Sequence, residues 1–264
     1  MYWSAAAAIS SSVAPSGRRS VLMLRHTPQR VPALPQISAP PLTRAGAGAT
    51  VVRVIAASLS VVVSAVFAGA MALRYARRRR PHQLAWAAGL AMFTLAALAG
   101  VLARSGGATE TEYRVFYLFG AILNVAWLAL GTVYLLAPRV ARRALWAVLV
   151  FTAVAALAVF TSPVDLSAAT DTGKGFDQAP LPRILAGIGS GIGSLVLIAG
   201  ALWSAWAFLR QRHQGRRALG NIVIAAGVLV AALGGTAAFT GASGVVEWTN
   251  FVGVSCIFAG FLLV

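Results

Sequence analysis

Apolar residues in this chain come in seven long runs, each about 20 residues, with arginines gathered between them. The runs are Val54 to Leu73, Gln83 to Ala103, Val115 to Leu136, Ala144 to Thr161, Ile184 to Phe208, Ala218 to Thr240 and Val245 to Val264. A hydrocarbon core about 30 Å thick takes roughly 20 helical residues to cross. Continuous apolarity over that length predicts helices, because membrane-barrel strands would alternate apolar and polar over about ten residues each. The expected fold is all-α, a polytopic bundle of seven transmembrane helices spanning residues 51–264.

The polar residues between the runs predict an orientation. Connections after the first, third and fifth runs carry twelve arginines, from Arg74 and Arg77–Arg80 through Arg139, Arg142, Arg143 to Arg210, Arg212, Arg216 and Arg217, and no acid. Those after the second and fourth carry Arg104, Arg114, Lys174 and Arg183 against Glu110, Glu112, Asp165, Asp171 and Asp177. The excess of cations predicts that the arginine loops are cytoplasmic, with the amino terminus outside and the carboxyl terminus inside. Aromatic residues follow the same register: Tyr75, Trp86, Tyr134, Trp146, Trp203 and Trp206 fall near the expected inner ends, and Tyr113, Tyr117 and Trp248 near the outer ends.

Residues 1–50 have a different pattern, with six of the eleven prolines, five arginines and no acid. Such a segment cannot bury a core and is expected to be a disordered tail, or the product of a start codon placed too far upstream. Over the whole chain, 59% hydrophobic and 11% charged residues and a mean hydropathy of +0.79 exclude an ordinary soluble domain, in which about a quarter of residues are charged. The net charge of +16 does not indicate nucleic acid, because the arginines sit in short loops beside apolar runs. They suit anionic lipid head groups instead. One weak internal repeat is visible: Arg53 to Ala56 with Ser60 and Ser64 matches Arg183 to Ala186 with Ser190 and Ser194, suggesting three helices, a linking helix and three more.

Few polar residues lie inside the runs. Glu247 is the ionisable one, and a carboxylate within a span is a functional candidate by default. Only about 25 Å of helix follows it, so it belongs at the outer interface, where Arg114 or Arg183 could reach it. Asn250 shares its helix face, and Tyr117 is expected in the same outer cluster. Asn124, roughly 15 Å deeper than Arg114, is expected to face another helix. These five residues form the candidate solute or proton site. Two glycine sets predict close helix packing: Gly187, Gly189, Gly191 and Gly193 in the fifth run, and Gly220, Gly227 and Gly234 at sevenfold spacing in the sixth.

His26, His82 and His213 fall in the tail and loops, which excludes a histidine-held haem or transition metal within the spans. The seventh run has no lysine for a retinal Schiff base, and Cys256 stands alone, so no cofactor is expected. No span holds a constellation of His, Asp and Lys, so an enzyme is not expected. The stretch Tyr113 to Leu136, with Trp86 and the arginine-rich loop, resembles seven-helix integral membrane proteins of high-GC actinobacteria with no assigned activity. That resemblance implies a bacterial plasma-membrane location and no function. Two functions remain open: a small-solute transporter or solute-binding protein with an outward cavity, or a sensory or interaction subunit docking anionic lipid, a partner membrane protein or a second copy.

Overall fold

The computed structural model describes residues 44–106, 109–166, 174–176, 178–210, 214–239 and 245–264. The tail up to residue 43, Arg212, His213, Asp171 and Asp177 lie outside the described residues. Seven helices among those described are long and apolar enough to cross a membrane. They are α1 (Arg44–Arg78), α2 (Pro81–Gly106), α3 (Glu110–Leu136), α4 (Pro138–Thr161), α5 (Pro180–Arg210), α6 (Gly215–Phe239) and α7 (Val246–Leu263). The protein is a multi-pass membrane protein. Helix α7 is two residues shorter than its apolar run, whereas α1 to α6 are longer than theirs because their ends extend into the flanking polar residues. Thus α1 begins at Arg44, and the last residues of the expected disordered tail are helical.

Proline sets three of the starts. Pro81, Pro138 and Pro180 each open a helix, where the missing N–H has no intrahelical partner to lose and the fixed φ suits the first turn. At the turn from α1 into α2, Arg79 takes the left-handed conformation (φ 49) and its N–H donates to the Tyr75 carbonyl at 2.7 Å.

Helices adjacent in sequence pack antiparallel. The contacts run α1 with α2, α2 with α3, α3 with α5, α5 with α6, α6 with α7, and α7 back onto α1. Helix α4 stands apart from this circuit, against α3 and α5, with only 17% of its most apolar stretch buried compared with 50% for α3. Two cores result. At the arginine end, Phe67 and Met71 of α1 meet Ala87 and Leu90 of α2, with Phe258 and Phe261 of α7 packed on them. At the opposite end, Tyr113, Tyr117 and Ile122 of α3 meet Val159 of α4, Leu185 of α5 and Phe176. Phe176 comes from a single 3-10 turn, Lys174–Phe176, in the connection between α4 and α5.

Helix α3 is not uniform. Its Tyr117–Leu123 stretch is a π-helix between α-helical Glu110–Phe116 and Asn124–Leu136. An inserted π turn widens the helix and disturbs the regular ladder, so local backbone groups must find other partners.

Candidate functional site

Helix α3 carries most of the polar side chains that sequence reasoning singled out. Its first turn is built by Thr109 and Glu112: the Thr109 hydroxyl accepts from the Glu112 N–H at 3.2 Å, and the Glu112 carboxylate accepts from the Thr109 N–H at 2.9 Å. This reciprocal cap fixes the start of a segment whose fifth residue is Arg114.

Arg114 is 9% exposed, and its guanidinium is occupied on two sides. Nε donates to Glu110 Oε1 at 2.9 Å, one helical turn back. The two terminal nitrogens donate to the carbonyls of Val159 and, at 2.9 Å, Ser162. Those carbonyls lie at the C-terminal end of α4, where unpaired acceptors and the negative end of the helix dipole favour a cation. Arg114 is therefore a clamp that holds the least buried helix to α3.

Tyr113 and Tyr117, expected near the outer end, are buried core residues at the end opposite the arginines. Their rings lie 5.4 Å and 4.9 Å from that of Phe176, and Tyr117 is only 1% exposed. The Tyr113 hydroxyl also accepts from the Gly175 N–H at 3.2 Å, so the α4–α5 connection is pinned on the bundle by its backbone and by one aromatic ring. Sequence reasoning missed Phe176 because nothing local marks a loop phenylalanine as buried.

Asn124 sits where the π segment returns to α-helix. Its side-chain oxygen accepts from the adjacent Val125 N–H at 2.7 Å, so that acceptor serves its own helix rather than a neighbouring one. Beside it, α2 comes close: a Cβ on Gly89 would stand 2.8 Å from the Asn124 carbonyl oxygen. Three hydrogen bonds then tie α3 to its neighbours. Trp86 of α2 donates to the Leu128 carbonyl at 3.1 Å, Ser190 of α5 donates to the Ala121 carbonyl at 2.6 Å, and Trp127 donates to Thr152 of α4 at 3.2 Å. The Ser190 bond reaches a carbonyl inside the π segment. The matching serines of the suspected repeat behave differently: Ser60 and Ser64 donate to carbonyls of their own helix, and Thr94 of α2 donates to Ser64.

Glu247 lies in the first turn of α7 and is 4% exposed, and Asn250 one turn on is half-buried. Helix α7 packs on α6 and α1, whereas α3 packs on α2, α4 and α5. Of the five residues of the expected site, Glu247 and Asn250 are carried by α7, and Arg114, Tyr117 and Asn124 by α3. Arg183 is exposed near the start of α5.

The glycines also divide. Gly220 and Gly227 of α6 meet α7 so closely that added Cβ atoms would stand 2.7 Å from the carbonyl oxygens of Gly260 and Gly253, and Gly234 fits against Thr249. On α5, Gly189 and Gly193 press against Ile122 and Val125 of α3, while Gly187 and Gly191 have no heavy atom near a would-be Cβ. No group of three His, Cys, Asp or Glu that could hold a metal ion occurs among the described residues. Comparisons with protein-family models, curated proteins and solved structures gave no match, so no family is identified.

Proposed function

We propose that the protein is a non-catalytic docking subunit, a seven-helix bundle that offers the outward face of α5 to another transmembrane helix. The observation that carries this reading is the pair of interleaved glycine stripes on α5. Gly189 and Gly193 accept α3 at close range, while Gly187 and Gly191 present the same small-residue shape to the outside, open and flanked by exposed Ile184, Ile188 and Ile192. Helices associate in lipid largely through such close approach, since apolar side chains gain nothing from leaving acyl chains. The arriving helix belongs to a second copy or to another membrane protein. The arginine distribution supports a bacterial plasma membrane with the arginine end in the cytoplasm.

The test is resonance energy transfer between donor- and acceptor-labelled copies in liposomes, together with site-directed cross-linking from Ile188 in native membranes. Association in either experiment is expected to drop at least tenfold in Gly191→Ile, a loss of about 1.4 kcal/mol. Equal association of wild type and variant in both would remove the proposal.

One observation favours the solute reading as well: Glu247 is buried within a membrane-crossing helix, where a carboxylate is costly. Proton and solute flux in liposomes, lost in Glu247→Gln, would establish it. Absence of flux over a broad solute panel from folded wild type would end it.

A further inference from the structure

Most of the described arginines sit at the end opposite the acids. Among the described residues the carboxylate side chains, Glu110, Glu112, Asp165 and Glu247, belong to connections or first turns remote from the arginine loops. The arginine end has, among the described residues, no Asp or Glu side chain to neutralise it.

On α4, Arg139, Arg142, Arg143 and Trp146 fall at i, i+3, i+4 and i+7, which is one stripe of a helix, and all four are exposed. The surface of α4 deeper in the membrane is apolar, with Val150, Val154 and Leu157 exposed. The neighbouring α5 ends alike. Trp203 and Trp206 are exposed with rings 5.2 Å apart, and the Arg210 guanidinium lies 4.0 Å above the Trp206 ring. Leu136, two residues before α4 begins, abuts Gly200 of α5, ten residues before Arg210. Each helix thus runs from an apolar strip through indole to guanidinium, the order of acyl chain, glycerol backbone and phosphate in a lipid.

We infer that this face of α4 is a binding surface for an anionic phospholipid, its acyl chains along the apolar strip and its phosphate held by Arg139, Arg142 and Arg143. Charge complementarity selects the partner, since guanidinium groups with no carboxylate nearby pair with phosphate oxygens through bidentate hydrogen bonds. Other arginines at this end are engaged differently: Arg74 lies over the Phe261 ring at 4.3 Å and Arg79 over Tyr75 at 5.5 Å. This surface is on α4, not on the glycine-bearing α5, and does not depend on the docking role.

The experiment is native mass spectrometry of the full chain released from nanodiscs of equimolar phosphatidylglycerol and phosphatidylcholine. Wild type is expected to retain phosphatidylglycerol at least tenfold over phosphatidylcholine. The triple change Arg139→Gln, Arg142→Gln and Arg143→Gln is expected to reduce that preference to near parity. The control Arg77→Gln with Arg78→Gln, which removes charge from the end of α1, is expected to keep it. Helical circular dichroism verifies that each variant is folded. Equal retention of both lipids by wild type, an unchanged preference in the triple variant, or an equal loss in the control would each overturn the inference.

Discussion

The α3 neighbourhood and the α6–α7 pair solve the same problem by different chemistry. Around α3, helices are tied by directed hydrogen bonds: Arg114 to the end of α4, Trp127 to Thr152, Trp86 to Leu128 and Ser190 to Ala121. Between α6 and α7 the contact is made by absence of side chains, with Gly220, Gly227 and Gly234 facing Gly260, Gly253 and Thr249. In lipid there is no hydrophobic gain from pressing apolar helices together, so a bundle is held by polar bonds or by very close backbone approach. Around α3 polar bonds are added to close glycine contacts from Gly89, Gly189 and Gly193, at the π segment and at the poorly buried α4. The steric method is used where two regular helices share a sevenfold repeat of small residues.

Arg114→Met should produce the largest effect. It strands the Val159 and Ser162 carbonyls and removes charge-assisted bonds, so a loss of about 3 kcal/mol is expected in reversible unfolding in mixed micelles. Gly227→Leu tests the seam by overfilling it. It is expected to cost about 2 kcal/mol and to weaken α6–α7 cross-linking, while leaving the α3–α4 contact intact. Trp86→Phe keeps the ring but drops the bond to Leu128, so about 0.6 kcal/mol is expected by the same unfolding measurement. Gly187→Ala, open to the outside, should change fold stability by less than about 0.5 kcal/mol. If the Trp86 and Gly227 changes matched in size and location, the distinction between the two regions would fail.

The seven spans were legible because crossing a membrane requires a length of apolar chain that needs no tertiary information. The α6 half of the glycine seam was legible for a related reason, sevenfold spacing, and Gly253 and Gly260 repeat that spacing on α7. The site was read less well. Glu110 and Arg114 stand at i, i+4, a local signal that a search for distant partners passed over. The Thr109-x-x-Glu112 cap was equally local. By contrast, the π segment and the burial of Phe176 had no local signature, since both arise from packing among α3, α5 and the α4–α5 connection. Depth along a span does not say which helices are neighbours: α3 packs on α2, α4 and α5, and α7 on α6 and α1.

The most direct measurement is a spin-label distance distribution at the end opposite the arginines, with Cys256 replaced by serine. Labels at exposed Phe160 of α4 and Leu102 of α2 report the clamped helix, and labels at Leu102 and exposed Leu233 of α6 report the rest of the bundle. If Arg114 holds α4, Arg114→Met broadens the first distribution and leaves the second narrow. An unchanged first distribution, or equal broadening of both, would contradict that role.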